Sequence, residues 1–433
     1  MMEFLHVFVL AISFVILLLL GVPISFSIGL ATVSTLLLGI NMGPALTTMA
    51  QRMATGLDSF ALLAIPFFIL SGQLMNRGGI ARRLIEFAKV FVGMLPGGLA
   101  FVHTMAAMLF GSISGSAVAT SAAIGGFMIP MMKKEGYDLN YSTAVNITSA
   151  TTGLIIPPSN ILIVYSLASG GVSIGALFLA GYLPGLLIGV SLMAVSGVIA
   201  YRRKYPTFAR VKFKEGWFKF FDALPSLFLI VLVIGGIVGG YFTATEASAI
   251  AVLYAFILSV FIYKEIKWKE LPKILLGSST TTAVVLLLVA ASMGMSWAIS
   301  YENIPQGISS ALMSISDSPI VVLLIINLFL LIMGTFMDIT PAVLIFTPIF
   351  LPVAIKLGVD PVHFGIILVL NLCIGLCTPP VGSVLFVGCG IAGTSISKVL
   401  KPLLPLYLAM IIALLLVTYL PQISLFLPRL FGF

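Results

Sequence analysis

Ser112, Ser114 and Ser116, in the run Gly111-Ser112-Ile113-Ser114-Gly115-Ser116, and Asp338, in Gly334-Thr335-Phe336-Met337-Asp338-Ile339-Thr340-Pro341, put oxygen atoms in otherwise apolar sequence. Two further segments, 153–160 and 375–382, carry Pro157-Pro158 and Pro379-Pro380. A proline pair removes two backbone donors and pushes the preceding residue out of helical geometry, so each segment frees carbonyl groups. Broken helices of this kind aim carbonyl ends at cations and amide ends at anions. Oxygen-only ligands suit a hard ion such as Na⁺, by analogy with the hard divalent ions. Ser112, Ser114 and Ser116 with carbonyls from Gly153 to Pro157 are one candidate shell. Gly334, Thr335, Asp338 and Thr378 with carbonyls from Gly375 to Pro379 are the second. Each set has a plainer reading: Asp338 as a helix N-cap, and the serine-rich tip as a close helix contact.

The breaks come in pairs. Offset by 222 residues, Pro130, Lys134, Gly136, Asp138, Gly153, Pro157, Pro158, Gly171 and Ser173 fall on Pro352, Lys356, Gly358, Asp360, Gly375, Pro379, Pro380, Gly393 and Ser395, without a gap. The same offset sets Ser116 on Asp338. An internal duplication in so apolar a chain is the mark of a secondary transporter, whose halves build one site between them.

With 60% hydrophobic and 8% charged residues, and a mean hydropathy of +1.20, the chain cannot present water with an adequately polar surface. It reads as an all-α polytopic membrane protein. The net charge of +8 does not indicate nucleic acid, because the basic residues cluster in a few segments between helices.

Apolar runs long enough to cross a bilayer are predicted at about 4–20, 23–40, 61–76, 175–200, 221–241, 246–263, 275–300 and 402–421. Residues 99–132 and 319–355 instead read as re-entrant hairpins, each with two arms of roughly a dozen residues around a polar tip, an arm reaching about halfway across. The helices 140–169 and 361–392 are expected to unwind at their proline pairs, inside protein or facing a cavity. Five crossings and one hairpin per half make an odd number, so the second half must enter the membrane upside down. Charge agrees: with 77–98, 133–139, 202–219, 264–273 and 398–401 in the cytoplasm, 19 of the 22 Lys and Arg lie there, leaving Arg52, Lys356 and Arg429 outside. Both termini are then periplasmic.

The halves are 1–205 and 221–433, joined by a cytoplasmic linker at 206–220. Segments 77–95, with Arg82, Arg83, Glu86 and Lys89, and 301–318 read as amphipathic arms along the interface. The basic stretch 202–219, with Trp217 and Phe218, reads as a membrane-skimming loop. Cys373, Cys377 and Cys389 have no His or acid at metal-ligand spacing and read as small core residues. The apolar start, ending at Gly21-Val22-Pro23, reads as a retained helix. His6, His103 and His363 are scattered, and neither an HExxH nor a GxxxxGK[ST] motif occurs, so the chain reads as neither a hydrolase nor an ATPase.

Four long motifs arrive in a recognisable order. They are the run from Gly56 to Phe68, the tip GSISGSAVAT at 111–120, TATEASAIA at 243–251, and the stretch from Phe346-Thr347-Pro348 through Asp360-Pro361-Val362-His363-Phe364-Gly365 to TPPVGSVLFVGC at 378–389. Across essentially its whole length the chain resembles the large membrane subunit of TRAP transporters, the DctM type, within the ion transporter superfamily.

That resemblance implies an elevator carrier. Residues 99–200 and 319–421 would form a mobile transport domain sliding on a scaffold from 1–60 and 221–263. It implies Na⁺-driven import, with at least two ions, of a small organic acid: a C4-dicarboxylate, a sugar acid or sialic acid. A soluble periplasmic binding protein of the DctP type would deliver it, alongside a separate four-helix membrane subunit of the DctQ type. Carried over residue by residue, the cation ligands are Ser112, Ser114, Ser116, Gly153 and Pro157 on one side. On the other they are Gly334, Asp338, Gly375, Thr378 and Pro379. Substrate would lie between, near Ser159, Asn160, Gly382 and Ser383. Asp58 and Glu246 sit at outer helix ends, as caps or as contacts to a partner. Two rivals are a binding-protein-independent sodium/carboxylate symporter of the same superfamily and a structural subunit whose breaks only pack.

Overall fold

Proline, glycine and capping residues punctuate the apolar chain at matched positions, and these set where its helices end. The computed structural model describes residues 2–95, 97–206, 213–316 and 318–433; of the expected linker and loop, 207–212 lie outside the described residues and the part from Phe213 on, with Trp217 and Phe218, is helix and not loop. The first half runs α1 (Met2–Leu19), α2 (Ile24–Leu36), α3 (Met42–Leu57), α4 (Ala64–Arg77), α5 (Ile80–Val92), α6 (Gly98–Ser114), α7 (Ala117–Lys134), α8 (Leu139–Thr152), α9 (Asn160–Ala168) and α10 (Ile174–Arg203). The second runs α11 (Phe213–Val238), α12 (Ala244–Phe256), α13 (Leu271–Tyr301), α14 (Ile304–Ile315), α15 (Pro319–Gly334), α16 (Ile339–Lys356), α17 (Pro361–Gly375), α18 (Ser383–Ala392), α19 (Ile396–Tyr419) and α20 (Gln422–Leu430). No strand occurs among the described residues.

The repeated residues mark the same structural events in each half. Asp138 and Asp360 cap α8 and α17, accepting from the Tyr141 amide at 2.8 Å and the Val362 amide at 2.8 Å. Gly171 and Gly393 take left-handed φ values of 110° and 63° where α9 and α18 end, a conformation open to glycine. Both proline pairs contain a cis bond, and at both the long helix is broken, between Thr152 and Asn160 and between Gly375 and Ser383.

The hairpins α6–α7 and α15–α16 form as expected, with a different arm length. Each arm has 16 to 18 residues, about 24–27 Å at 1.5 Å per residue, not a dozen. The helices continue past the apolar run into polar ends, through Lys133 and Lys134 in α7 and Lys356 in α16. The run predicted at 23–40 stops as helix at Leu36, and α13 reaches 31 residues. Helix α19 begins at Ile396 and carries Pro402 and Pro405 inside it. Among the described residues, seven helices are long and apolar enough to cross a membrane, α10, α13 and α19 among them.

Packing is reciprocal between the halves of this inverted repeat. Helix α7 packs on α18 while α16 packs on α9, and α12 packs on α4 while α2 packs on α13. The arms cross over too. Arg83 of α5 holds Asp222 of α11 at 3.3 Å and stacks 3.7 Å from the Tyr263 ring centroid, and Glu86 holds Lys219 at 3.0 Å. Glu302, just before α14, pairs with His6 of α1. Each arm is thus fastened to the first helix of the opposite half. Glu246 closes a capping box with Thr243 at the start of α12, and exposed Asp58 stands at the C-terminal end of α3. Cys373, Cys377 and Cys389 are buried free thiols in the core.

Candidate functional site

Glycine lets each hairpin tip meet a helix break backbone to backbone. A Cβ placed on Gly153 would fall 2.3 Å from the Gly111 Cα, and one on Gly375 would fall 2.7 Å from the Gly334 Cα. Ser112 follows Gly111 directly, so the first tip and first break form one cluster, and Gly334 with Thr335 joins the second break. There the Val381 amide donates to the Thr335 carbonyl at 3.1 Å, stitching tip to break.

The hydroxyls in both clusters send their protons backward. Ser112 donates to the Leu109 carbonyl at 2.9 Å, Thr335 to Ile332 at 2.7 Å and Thr378 to Ile374 at 2.8 Å, with Thr378 Oγ1 also hydrogen-bonded to the Tyr407 hydroxyl at 2.8 Å. A hydroxyl that donates this way keeps its lone pairs for another partner. Ser114 Oγ lies 3.1 Å from Thr120 Oγ1, and Ser116 accepts from the Ala119 amide at 3.2 Å, capping α7. Pro157 has no N–H, so the Gly153 carbonyl four residues earlier lacks its helical donor. The Gly375 carbonyl, at the matching position, accepts from the Thr378 amide at 2.9 Å. Among the described residues no group of three or more His, Cys, Asp or Glu forms a metal cluster. Donors of this kind are hydroxyl and carbonyl oxygens, which a hard monovalent ion accepts and a transition metal does not prefer.

Asp338 differs from its repeat partner Ser116. It occupies the N-cap position of α16, yet its side chain makes no capping bond. Its Oδ1 instead accepts from Ser383 Oγ at 3.4 Å, at the first turn of α18.

One cavity of about 610 Å³ collects the functional side chains. Ser114, Gly115 and Ser116 of the first tip, Asn160 at the start of α9, and Asp338 with Thr340 of the second tip line it. The opposite wall is α4 and α13, with Gln73, Asn76, Arg77 and Thr281. Asn160 faces the tip closely: a Cβ on Gly115 would lie 2.7 Å from its Nδ2. The other expected substrate residues lie elsewhere. Ser159 is fully buried and its hydroxyl donates to the Leu154 carbonyl, while Gly382 and Ser383 adjoin the second break outside this cavity. Gln73, Asn76 and Arg77 were not expected here. Polar residues at i, i+3 and i+4 ending an apolar helix were the available signal.

Comparison with known proteins places the chain in a family. The family model described as "Tripartite ATP-independent periplasmic transporter, DctM component" matches residues 11–423. The chain belongs to the DctM family. Relatives of this DctM chain include "Uncharacterized protein YgiK" of Salmonella typhimurium, 56% identical over 97% of this chain and 96% of that one. The C4-dicarboxylate TRAP transporter large permease protein DctM of Rhodobacter capsulatus is 39% identical, covering 96% and 97%. The sialic acid TRAP transporter large permease protein SiaM of Vibrio cholerae is 40% identical, covering 95% and 96%. Among solved structures, the Alcanivorax borkumensis YdaH transporter superposes with a TM-score of 0.63 over 86% of this chain and 87% of that one, at 13% identity, which establishes likeness of fold. A DctM chain is a membrane-spanning transporter subunit and not an enzyme.

Proposed function

We propose that this DctM-family permease imports a small organic acid, in the range of C4-dicarboxylates, sugar acids and sialic acid, by Na⁺-coupled movement of an elevator domain in the bacterial inner membrane. The observation that carries the proposal is the single cavity onto which both hairpin tips, Asn160 and the polar end of α4 converge. Residues 99–200 and 319–421 form the moving body, bounded by the helices that pack across the halves. A binding protein of the DctP type delivers substrate at the outer face, and a DctQ-type subunit completes the membrane complex.

Two ion shells flank the substrate. Ser112, Ser114, Ser116, Gly153 and Pro157 hold one Na⁺; Gly334, Asp338, Gly375, Thr378 and Pro379 hold the other. Asn160 orients the acid between them, and Ser159, Gly382 and Ser383 shape the breaks behind it. The cavity is walled by the Arg77 end of α4 and the Gly277 end of α13, both adjoining basic segments read as cytoplasmic. This arrangement is the inward-facing state, with both termini on the periplasmic side. Moving one charge through 100 mV is worth about 2.3 kcal/mol, so two or more ions sustain steep accumulation.

Uptake in proteoliposomes containing both membrane subunits and supplied with binding protein tests the reading. Ser114→Ala and Asp338→Ala should each abolish sodium-dependent uptake. Unchanged sodium dependence in both variants would remove these residues from the ion sites, and uptake without binding protein would favour the independent symporter.

A further inference from the structure

Four cations surround one opening on the face opposite the expected docking side. Arg202 and Arg203, at the end of α10, and Lys398 and Lys401, at the start of α19, line a cavity of about 430 Å³ beside the N-terminus of α8. Asp138 is the one carboxylate in its lining, and it is already engaged, capping α8 through the Tyr141 amide at 2.8 Å and standing 3.9 Å from Arg203. Arg203 also lies 5.7 Å from the Tyr141 ring centroid and donates to Tyr205 Oη at 3.1 Å, which fixes it at the wall. Arg202, Lys398 and Lys401 have no carboxylate within ion-pair reach among the described residues. Cations from two helices distant in sequence thus converge with a surplus of positive charge.

The helix surfaces leading away from the cavity are apolar and exposed. On α10, Leu186, Val190, Ala194 and Val198 stand at four-residue steps and lead to Arg202. On α19, Leu404, Leu408 and Ile412 descend from Lys401 in the same way. A free anion would use the cations alone; a molecule with a charged head and long apolar tails would use both features.

We propose that this cavity binds the headgroup phosphate of an anionic phospholipid, with its acyl chains lying along the exposed stripes of α10 and α19. Basic pockets between helices on the cytoplasmic side recognise such headgroups. The inference rests on the cytoplasmic placement of these ends and goes beyond the transport reading. It gives the two halves a shared lipid at the point where α10 and α19 pack together.

Native mass spectrometry of the delipidated full chain, titrated with phosphatidylglycerol or phosphatidylcholine, tests it. Wild type should retain phosphatidylglycerol in preference to phosphatidylcholine by about tenfold. The triple variant Arg202→Gln, Lys398→Gln, Lys401→Gln should lose that preference. Lys398→Arg with Lys401→Arg should keep it, as should the control Lys133→Gln with Lys134→Gln, which removes nearby cations outside the cavity. A preference that survives the triple variant, or that falls equally in the control, overturns the site. Competition by inorganic phosphate as effective as by phosphatidylglycerol overturns the lipid as its occupant. These readouts involve neither Na⁺ nor organic acid, so they stand or fall separately from transport.

Discussion

Gly375 rests against Gly334 with no side chain between them, so that a methyl group on Gly375 would sit 2.6 Å from the Gly334 carbonyl carbon. Gly153 repeats the relationship with Gly111 in the first half. The two contacts are not in strict register: Gly153 and Gly375 differ by the 222 offset, whereas Gly111 and Gly334 differ by one residue more. The halves preserve a backbone contact rather than a sequence position.

Gly375→Ala and Gly153→Ala should therefore each force the tip away from the break. Overpacking costs typically about 1–3 kcal/mol, and the lost contact belongs to the proposed ion shell. Each variant should melt at a lower temperature and need a higher Na⁺ concentration for half-maximal uptake. Gly390→Ala, with open space around the same substitution, is the control. Wild-type Na⁺ dependence in both break variants would show that the close approach serves packing alone.

Asp338 and Ser116 separate capping from ion binding. Ser116→Ala removes a hydroxyl that accepts from the Ala119 amide, a loss of about 1 kcal/mol of helix stability. Asp338 makes no such bond. Asp338→Asn, keeping size but removing charge, should leave the melting temperature within a few degrees of wild type while Na⁺ affinity falls about tenfold or more, as for a lost charged hydrogen-bonding group. Isothermal titration with NaCl is the measurement. Equal Na⁺ affinity in Asp338→Asn and wild type would return Asp338 to a structural role.

Arg77 ends α4 at the cavity wall, exposed and with no carboxylate in ion-pair reach among the described residues. An acid leaving toward the cytoplasm would pass this charge. Arg77→Gln should slow counterflow of a labelled anionic substrate severalfold, and Arg77→Lys should recover part of it, since a point charge replaces a fork. Na⁺-induced melting shifts should be unaffected. Equal counterflow in all three proteins would exclude Arg77 from the route.

The sequence made the duplication, the broken helices and the polar tips readable because proline pairs, left-handed glycines and Asp caps have local physical meaning. Helix α3 escaped notice because Thr47, Thr48, Gln51 and Arg52 interrupt any apolar run, while its buried residues Ala45, Met49 and Gly56 pack on α13. Helix α20 is short and carries Pro428 within it. The separation of Asn160 from Ser159 is a matter of side-chain direction at a helix start, which adjacent positions in sequence do not specify. Gln73, Asn76 and Arg77 join the cavity through the packing of α4 against α6 and α9, a long-range relationship with no local signature.

Glu86 gives a prediction for the arm. Burial raises its pKa, but hydrogen bonds and charge from Lys89, at 2.6 Å, and Lys219, at 3.0 Å, outweigh that and hold it below the ordinary glutamate value. A folded pKa below the unfolded one means stability that is present above the unfolded pKa and lost as pH falls through the folded one. Wild type should therefore melt above Glu86→Gln at neutral pH, with the gap closing as the pH drops below the ordinary glutamate range. Because Glu86 is partly exposed, 0.5 M NaCl should also narrow the gap. Melting curves of both proteins from pH 7 to pH 3.5 decide it: a gap that stays constant across that range would mean that α5 is held to α11 by Arg83–Asp222 and apolar contact, without help from the Glu86 charge.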